Sequence, residues 1–395
     1  MPTLVSGVRS SSNANSNNQL RDVERILQVL KPYQTPFLQL LWFGGRPAKP
    51  VVNATGKFEW FEDTLFPHQT TVKLAITASG SPATLSLTAT NCTDITVFGV
   101  GDVVLIEETD QMAVVTSHNG TTVVLTHIDG STSLTSLAVV GSVFKVIGNQ
   151  NNEYNGVRTG KSTTEVEQYN YLTIQTESVG TTGRNQAGSA YTNGLTHPEM
   201  VAKKIEEMKL TMERNMLFSN SRGYKTVDGY RHTWGNGFLG RVTSNVNGYS
   251  TLDQATFDAH FQEVFAKGSN RRIHMCGSNQ LVAVNKIVKD LYQVVPNPSV
   301  SAFGVNITEY ITPFGTVAIV FNPLMDGKFT NWGFTIDPEL VTLRYMADDA
   351  KGSRKFRIEE NVQTPGTDGK QDKLLMDVGL QLVSEECHGI LKKTS

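Results

Sequence analysis

The sequence has few cysteines, no long hydrophobic run and no basic leader. Its 395 residues include only three cysteines, Cys92, Cys276 and Cys387, which are widely separated and odd in number. Such a set does not form a disulfide framework and indicates synthesis in a reducing cytoplasm. No segment approaches the ~20 apolar residues that a membrane-spanning helix needs. The N-terminal residues lack the basic and then apolar pattern of a secretion signal, so no membrane partner is predicted.

The charges of the chain nearly cancel. Lys and Arg total 35 and Asp and Glu total 37, which gives a formal net charge of −2. Proteins that bind DNA with their whole surface are usually strongly basic, because Lys and Arg make the phosphate contacts. We therefore expect any contact with DNA to be local and non-specific.

Catalytic and metal-binding motifs are also scarce. Residues 156–162 (GVRTGKS) resemble a phosphate-binding loop but are one residue too short, and polar residues precede them where a buried strand is needed. A basic turn is the better interpretation. The close pairs His274 with Cys276 and Cys387 with His388 supply only two ligands each, whereas a tetrahedral zinc site needs more. We predict packing roles for these residues, and no enzyme activity, cofactor or metal.

The N-terminal 55 residues combine a polar start with an apolar end. Residues 10–18 are almost all Ser and Asn and cannot bury enough apolar surface to offset the entropy of ordering. Residues 21–30 then show helical apolar spacing. After Pro32 and Pro36, residues 37–43 (FLQLLWF) are strongly apolar and must pack against a partner surface.

A β-hairpin interrupted by a long insertion follows this arm. Residues 57–63 (KFEWFED) alternate with a period of two, and a matching pattern returns only at residues 164–174. Between them, residues 72–150 contain short β-branched runs separated by turns such as Asn119-Gly120 and Asp129-Gly130. This rhythm predicts a small antiparallel β-domain inserted into the hairpin.

The strongest helix pattern begins at Thr196. Thr196 and Glu199 form a capping box, and apolar side chains then recur at helical spacing to Phe218. We assign the four methionines of this helix to core packing. Ion pairs on the exposed side are predicted between Lys203 and Glu207 and between Lys209 and Glu213.

The rest of the chain is predicted to mix helices and strands. Helices are expected at 251–267 and 278–292, around a strand at 271–276. Further strands are expected at 306–312, 316–322, 340–345 and 373–383. The whole pattern is typical of the α+β class.

In this order, the segments resemble the major capsid proteins of tailed bacteriophages, which have the Hong Kong 97 fold. The branch with a β-rich insertion in the extended loop is the most similar. The resemblance covers nearly the whole chain and rests on residues 21–23 (RDV), 35–37 (TPF), 58–60 (FEW), 212–220 (MERNMLFSN), 310–317 (YITPFGTV), 379–382 (GLQL) and 386–389 (ECHG).

The resemblance implies a place for each segment. Residues 1–55 would be the N-terminal arm, 56–71 with 151–179 the extended-loop hairpin, and 72–150 the inserted, barrel-like β-domain. Residues 180–250 with 323–395 would form the peripheral domain with its spine helix at 196–218, and residues 251–322 would form the axial domain.

The implied function is that of a shell subunit in the virion. The chain would assemble with itself into pentamers and hexamers of an icosahedral head that encloses double-stranded DNA. Expected partners are a separate scaffolding protein, a portal and decoration proteins. Aromatic side chains in the arm and hairpin are the candidate intersubunit contacts: Phe37, Trp42, Phe43, Trp60, Phe61, Tyr169 and Tyr171.

Two other functions remain open at this stage. A tail or baseplate subunit could also use small β-modules, although the long helix followed by an α+β region favours a capsid protein. The Asn, Thr and aromatic content is also compatible with a carbohydrate-binding or carbohydrate-active protein.

Overall fold

The computed structural model describes residues 35–44, 46–137, 139–151, 153, 160–188, 196–291, 294–295, 308–350 and 352–394. The chain divides into two compact units. Unit 1 comprises Met1–Trp60 and Gln168–Ser395, and unit 2 comprises Phe61–Glu167. The helix predicted at residues 21–30 and most of the phosphate-loop-like turn lie outside the described residues.

Unit 1 contains all the α-helices that the structure describes. They are α1 (Pro36–Gln39, continued by a π-helical turn Leu40–Gly44), α2 (Gly183–Ala187), α3 (His197–Phe218), α4 (Phe238–Arg241), α5 (Gln254–Val264) and α6 (Ser278–Leu291). Short 3₁₀ turns occur at Gly327–Asn331, Pro338–Leu340 and Glu385–Cys387.

Strands make up most of the remaining described structure. The first is β1 (Arg46–Val51), and the ribbon is formed by β2 (Lys57–Glu62) and β10 (Val166–Tyr171). Unit 2 holds β3 (Gln69–Thr71), β4 (Ser79–Gly80), β5 (Ala83–Thr88), β6 (Asp102–Ile106), β7 (Gln111–His118), β8 (Thr122–His127) and β9 (Val143–Asn149). Unit 1 continues with β11 (Thr173–Thr182), β12 (Gly223–Val227), β13 (Tyr230–Trp234), β14 (Val246–Tyr249), β15 (Arg271–Cys276), β16 (Val294–Val295), β17 (Thr308–Thr312), β18 (Gly315–Phe321), β19 (Trp332–Ile336), β20 (Val341–Met346), β21 (Arg357–Glu359), β22 (Gly369–Leu382) and β23 (Gly389–Lys393).

A five-stranded sheet and the long helix α3 form the first core of unit 1. The sheet has the order β1-β20-β22-β11, with β21 also paired to β22. Met208, Met212 and Met216 of α3 are buried in this core, which confirms the assignment of these methionines to packing. The start and end predicted for the helix are confirmed as well, because Thr196 and Glu199 form the capping box and α3 ends at Phe218.

Both ion pairs predicted on α3, Lys203 with Glu207 and Lys209 with Glu213, were wrong, because Glu207, Lys209 and Glu213 have other partners among the described residues. Lys204 pairs with Glu207, and Lys209 pairs with Glu206 at 2.9 Å. Glu213 is instead buried beneath the N-terminal segment and has no exposed side chain to offer to Lys209. Helical spacing alone placed Glu213 on the wet side, but the helix is covered there by α1.

A seven-stranded sheet with the order β14-β23-β19-β15-β18-β17-β16 contributes to two cores. Successive side chains of a strand point to opposite faces, so Met275 packs in the α3 core whereas Cys276 packs with α5 and α6. The sheet combines strands from both sides of residue 322. The proposed boundary between axial and peripheral domains therefore falls within one continuous sheet.

Unit 2 contains an antiparallel seven-stranded sheet with the order β3-β9-β6-β7-β8-β5-β4. A β-bridge joins Val72, just after β3, to Cys92, just after β5. The sheet thus curves back on itself around a separate hydrophobic core. Strand β3 belongs to this sheet although it lies before residue 72, where the sequence pattern suggested that the insertion begins.

Candidate intersubunit surfaces

On one face of β2, the aromatic side chains of Phe58 and Trp60 pack within unit 1. Phe58 is buried with Val51 and Leu172, and its ring stacks on Trp60 with 6.0 Å between centroids. Phe61, on the other face of β2, is 70% exposed. This alternation follows from the two-residue period of a strand. It leaves Phe61 available to a partner, while Phe58 holds the ribbon to its own chain.

Tyrosines at the base of the ribbon are stacked with cations. The guanidinium carbon of Arg222 lies 3.7 Å from the ring centroid of Tyr169, and Lys57 Nζ lies 4.6 Å from it. Tyr171 packs edge-on against Tyr169 and also contacts Tyr224, at centroid distances of 5.9 and 6.1 Å. Cation–π and aromatic contacts of this kind fix the side chains in one arrangement.

The β12–β13 hairpin adds a second exposed aromatic group. Asp228 and Gly229 connect its strands with φ values of 51° and 78°, the left-handed pair that a tight two-residue hairpin turn requires. Tyr224, Tyr230 and Trp234 are 58%, 76% and 48% exposed. This hairpin was not predicted from the sequence, although Asp-Gly between two alternating runs is typical of a hairpin turn.

The predicted contact residues differ in how much surface they offer. Phe37 is fully buried in the α3 core and Tyr171 is 7% exposed. Residues of the same chain therefore already cover both side chains. Trp42, Trp60 and Tyr169 are partly buried, and Phe61 is exposed. Phe43 belongs to the π-helical turn, and its side chain lies outside the described residues. That any of the seven contacts a neighbour stays a prediction.

Glu213 joins the N-terminal segment to α3. Its carboxylate oxygens accept hydrogen bonds from the backbone N–H groups of Phe37 and Leu38, at 3.4 and 3.2 Å, and from Asn322 Nδ2 at 2.7 Å. Burial raises the pKa of Glu213 to about 7 despite these donors. The N–H groups in the first turn of a helix have no partner within it, so Glu213 supplies the cap that the Thr35 side chain does not.

Buried polar groups stabilise the second sheet. Arg272 and Asp337 form a fully buried ion pair at 2.7 Å, and Arg272 also donates to the carbonyl oxygen of Lys267 at 2.6 Å. His260 Nε2 and His274 Nδ1 lie 2.9 and 2.8 Å from Thr335 Oγ1. Burial lowers the pKa of His260 to about 3 and that of His274 to about 4, so both rings are neutral.

The side chains that suggested catalysis or metal binding have structural partners. Cys276, Cys387 and His388 are buried, as is His274. Lys161, from the phosphate-loop-like turn, donates to the Val97 carbonyl oxygen and pairs with Asp102 at 2.5 Å. Over the described part of the chain, no group of three or more His, Cys, Asp or Glu is placed to hold a metal ion. The helices in that part are all too short or too polar to cross a membrane.

Three solved structures are similar to this chain over part or nearly all of its length. The capsid of an empty GTA particle aligns with 98% of this chain and 100% of its own, with a TM-score of 0.51 and 10% identity. The SrpI encapsulin of Synechococcus elongatus PCC 7942 aligns with 58% of this chain and 77% of its own, with a TM-score of 0.44 and 12% identity. A structure of Mycobacterium phage Bobi aligns with 96% of this chain and 97% of its own, with a TM-score of 0.45 and 9% identity.

Sequence comparison identifies the family. No curated protein sequence is similar enough to count as a match. The model of the family described as SU10 major capsid protein, however, matches residues 10–395, which is nearly the whole chain. This match agrees with the α+β architecture, the long helix α3 and the interrupted ribbon. The chain therefore belongs to the SU10 major capsid protein family and is a major capsid protein with the Hong Kong 97 fold.

Proposed function

We propose that many copies of this chain close an icosahedral shell around double-stranded DNA, with pentamers and hexamers made from the same polypeptide. The family match over residues 10–395 is the observation that carries this proposal. A closed shell needs heterologous contacts, in which one surface of a subunit binds a different surface of the next. The ribbon exposes Phe61, and the β12–β13 hairpin exposes Tyr224, Tyr230 and Trp234, so the chain provides two such different surfaces.

Each segment then has a proposed place in the shell subunit. The ribbon is the extended loop that lies over a neighbouring subunit, and α3 is the spine of the peripheral domain. Helices α5 and α6 with strands β15 to β18 form most of the axial domain, which meets its copies around the five-fold and six-fold positions. Unit 2 is the insertion in the extended loop. Its own hydrophobic core and curved sheet support this assignment.

Five of the seven candidate aromatic residues remain suitable as contacts. Phe61 is the best of them, because 70% of its surface is exposed on strand β2. Trp42, Trp60 and Tyr169 would contribute their uncovered edges, and Phe43 is retained from the sequence pattern. Aromatic anchors of this kind usually carry a large share of the binding energy at an interface.

The proposed role is structural, without catalysis or a cofactor. The resemblance to the capsid family also implies a scaffolding protein, a portal and decoration proteins as partners, and non-specific contact with packaged DNA. We place synthesis in the bacterial cytoplasm. A tail or baseplate subunit would instead form rings or tubes of a single symmetry. The shape of the assembled particles therefore distinguishes these two roles.

Sedimentation of the expressed full chain tests the proposal. We expect a large fraction of the protein, alone or with the scaffolding protein, to sediment as particles of megadalton mass. Replacing Phe61 by Ala should lower this fraction, whereas replacing the buried-face neighbour Phe58 by Leu should mainly lower the melting temperature. Only small oligomers from the wild-type chain, with and without a scaffold, would contradict the proposed function.

A further inference from the structure

We propose that the β12–β13 hairpin binds the acidic ribbon of a neighbouring copy of this chain. The inference rests on the proposed shell function and names the two surfaces that meet. It starts from an unusual feature of the hairpin: three aromatic side chains, Tyr224, Tyr230 and Trp234, are about half exposed or more on two short strands. Tyr, Trp and Arg are the residues most enriched among the energetic anchors of protein interfaces.

The hairpin is held in one conformation before any partner binds. The guanidinium carbon of Arg231 lies 3.8 Å from the ring centroid of Tyr224. Trp234 Nε1 donates to Ser219 Oγ at 2.8 Å, and Thr233 Oγ1 donates to the Leu172 carbonyl oxygen at 2.6 Å. Because these side chains are already ordered, a partner would lose little of its binding energy to fixing them.

The hairpin is basic and its cations point to a carboxylate partner. Arg222, Lys225 and Arg231 oppose only Asp228 between residues 222 and 234. Lys225 and Arg231 are exposed, and neither forms an ion pair with any residue that the structure describes. Arg231 instead lies over the rings of Tyr224, in the hairpin, and of Tyr171, in the ribbon of its own chain. An acidic surface on a partner would supply carboxylates for ion pairs with these cations and could pack against the aromatic rings as well.

The ribbon of the same chain carries the complementary charge. Residues 57–63 and 164–171 contain five acidic side chains and one lysine: Glu59, Glu62, Asp63, Glu165, Glu167 and Lys57. Glu165 and Glu167 are exposed on or beside β10, and Phe61 is exposed on the paired strand β2. The negative charge of the ribbon is therefore complementary to the positive charge of the hairpin, and both surfaces carry exposed aromatic side chains. In a shell built of one chain, every hairpin has a neighbouring ribbon available.

Exchange of charge between the two surfaces tests the pairing. The hairpin variant Lys225→Glu with Arg231→Glu, and the ribbon variant Glu165→Lys with Glu167→Lys, should each raise the protein concentration needed for shell assembly about tenfold or more. The chain carrying all four substitutions should regain assembly, because the opposite charges face each other again. Assembly is measured by sedimentation and electron microscopy, and folding of each variant by its melting temperature.

Three results would overturn the inference. Wild-type-like assembly of the hairpin variant would show that the hairpin is not at an interface. Failure of the fourfold variant to regain assembly would show that the two surfaces do not meet. If the hairpin variant forms normal shells that retain less DNA, the hairpin binds nucleic acid and not the ribbon. A control variant with Lys73→Glu and Lys203→Glu should assemble normally. If it does not assemble, the defect of the hairpin variant comes from the changed net charge and not from the hairpin surface. Absence of wild-type shells would contradict the proposed function itself.

Discussion

Single buried residues connect parts of the chain that are far apart in sequence. Glu213 on α3 receives hydrogen bonds from α1, about 175 positions earlier, and from Asn322, which follows β18. A buried carboxylate is costly unless donors surround it. The three donors lower this cost, but burial still keeps the pKa of Glu213 near 7. The attachment of the N-terminal segment should therefore depend on pH.

Glu213 should make the subunit less stable as pH rises from about 4.5 to 7. The folded state keeps the Glu213 proton up to about pH 7, whereas the unfolded chain releases it near its ordinary pKa of 4.5. The stability contributed by this proton is complete below pH 4.5 and is lost above pH 7. Between pH 5.5 and 7 the loss is about 1.5 kcal/mol.

The Glu213→Gln variant should lack this part of the pH dependence. Urea unfolding of both proteins at several pH values measures it, since the other titrating groups are common to the two. The matched control is Glu206→Gln, because Glu206 is exposed on the same helix and pairs with Lys209. Equal pH profiles for wild type and Glu213→Gln would contradict our account of this carboxyl group.

Thr335 holds two neutral histidines with one hydroxyl group. Replacing Thr335 by Val keeps the shape but leaves the ring nitrogens of His260 and His274 without that partner. We expect a loss of about 2–4 kcal/mol in the free energy of unfolding, because buried polar groups would be unsatisfied. Urea midpoints measure the loss. Thr211→Val on the exposed side of α3 should change stability by less than about 0.5 kcal/mol, and an equally small effect at Thr335 would refute the role.

At the scale of elements, local patterns were the predictable part of the fold. The helix α3 could be predicted because its capping box, apolar spacing and end all lie within about two dozen residues. The ribbon could be predicted because both strands alternate strongly. By contrast, β1 contains Pro47 and Pro50 and pairs in parallel with β20, almost 300 residues away. No local pattern reports such a pairing.

The candidate surfaces were predicted less completely than the fold. Hydrophobicity identified Phe37 and Phe61 alike, yet Phe37 fills the core and Phe61 is exposed. The difference depends on which elements cover them, and that requires tertiary contacts. The β12–β13 hairpin was missed because its Gly- and Asn-rich surroundings resemble a loop. Glu213 was assigned to the surface because helical spacing does not reveal a segment that packs from elsewhere in the chain.

Unit 2 should be removable without unfolding unit 1. Its hydrophobic core uses only residues between Val72 and Val146, all within the unit. Deleting residues 64–164 and joining the ends by Asn-Gly keeps both ribbon strands, and we expect a soluble subunit with the melting transition of unit 1 intact. Calorimetry and gel filtration measure this outcome.

A shorter deletion provides the comparison for this boundary. Removing residues 72–150 would leave β3 without its partner β9 and expose an unpaired strand, so we expect more aggregation. Equal behaviour of the two deletions would show that β3 does not mark the boundary. Aggregation of the 64–164 deletion would contradict the independence of unit 2.

At the scale of the whole molecule, the chain combines well-buried hydrophobic cores with surfaces that its own fold leaves uncovered. In unit 1, two cores pack on either side of the seven-stranded sheet, and the ion pair of Arg272 with Asp337 is fully buried. The exposed aromatic groups on the ribbon and on the β12–β13 hairpin offer two different contact surfaces. Repeated many times in a shell, contacts that are individually modest become collectively stable.

Electron microscopy of particles formed by the full-length chain tests this account most directly. We predict closed icosahedral shells in which the same polypeptide forms pentamers at the vertices and hexamers between them, with the ribbon of each subunit over a neighbour. Tubes or rings of one symmetry, or a protein that stays monomeric even with its scaffolding protein, would contradict it.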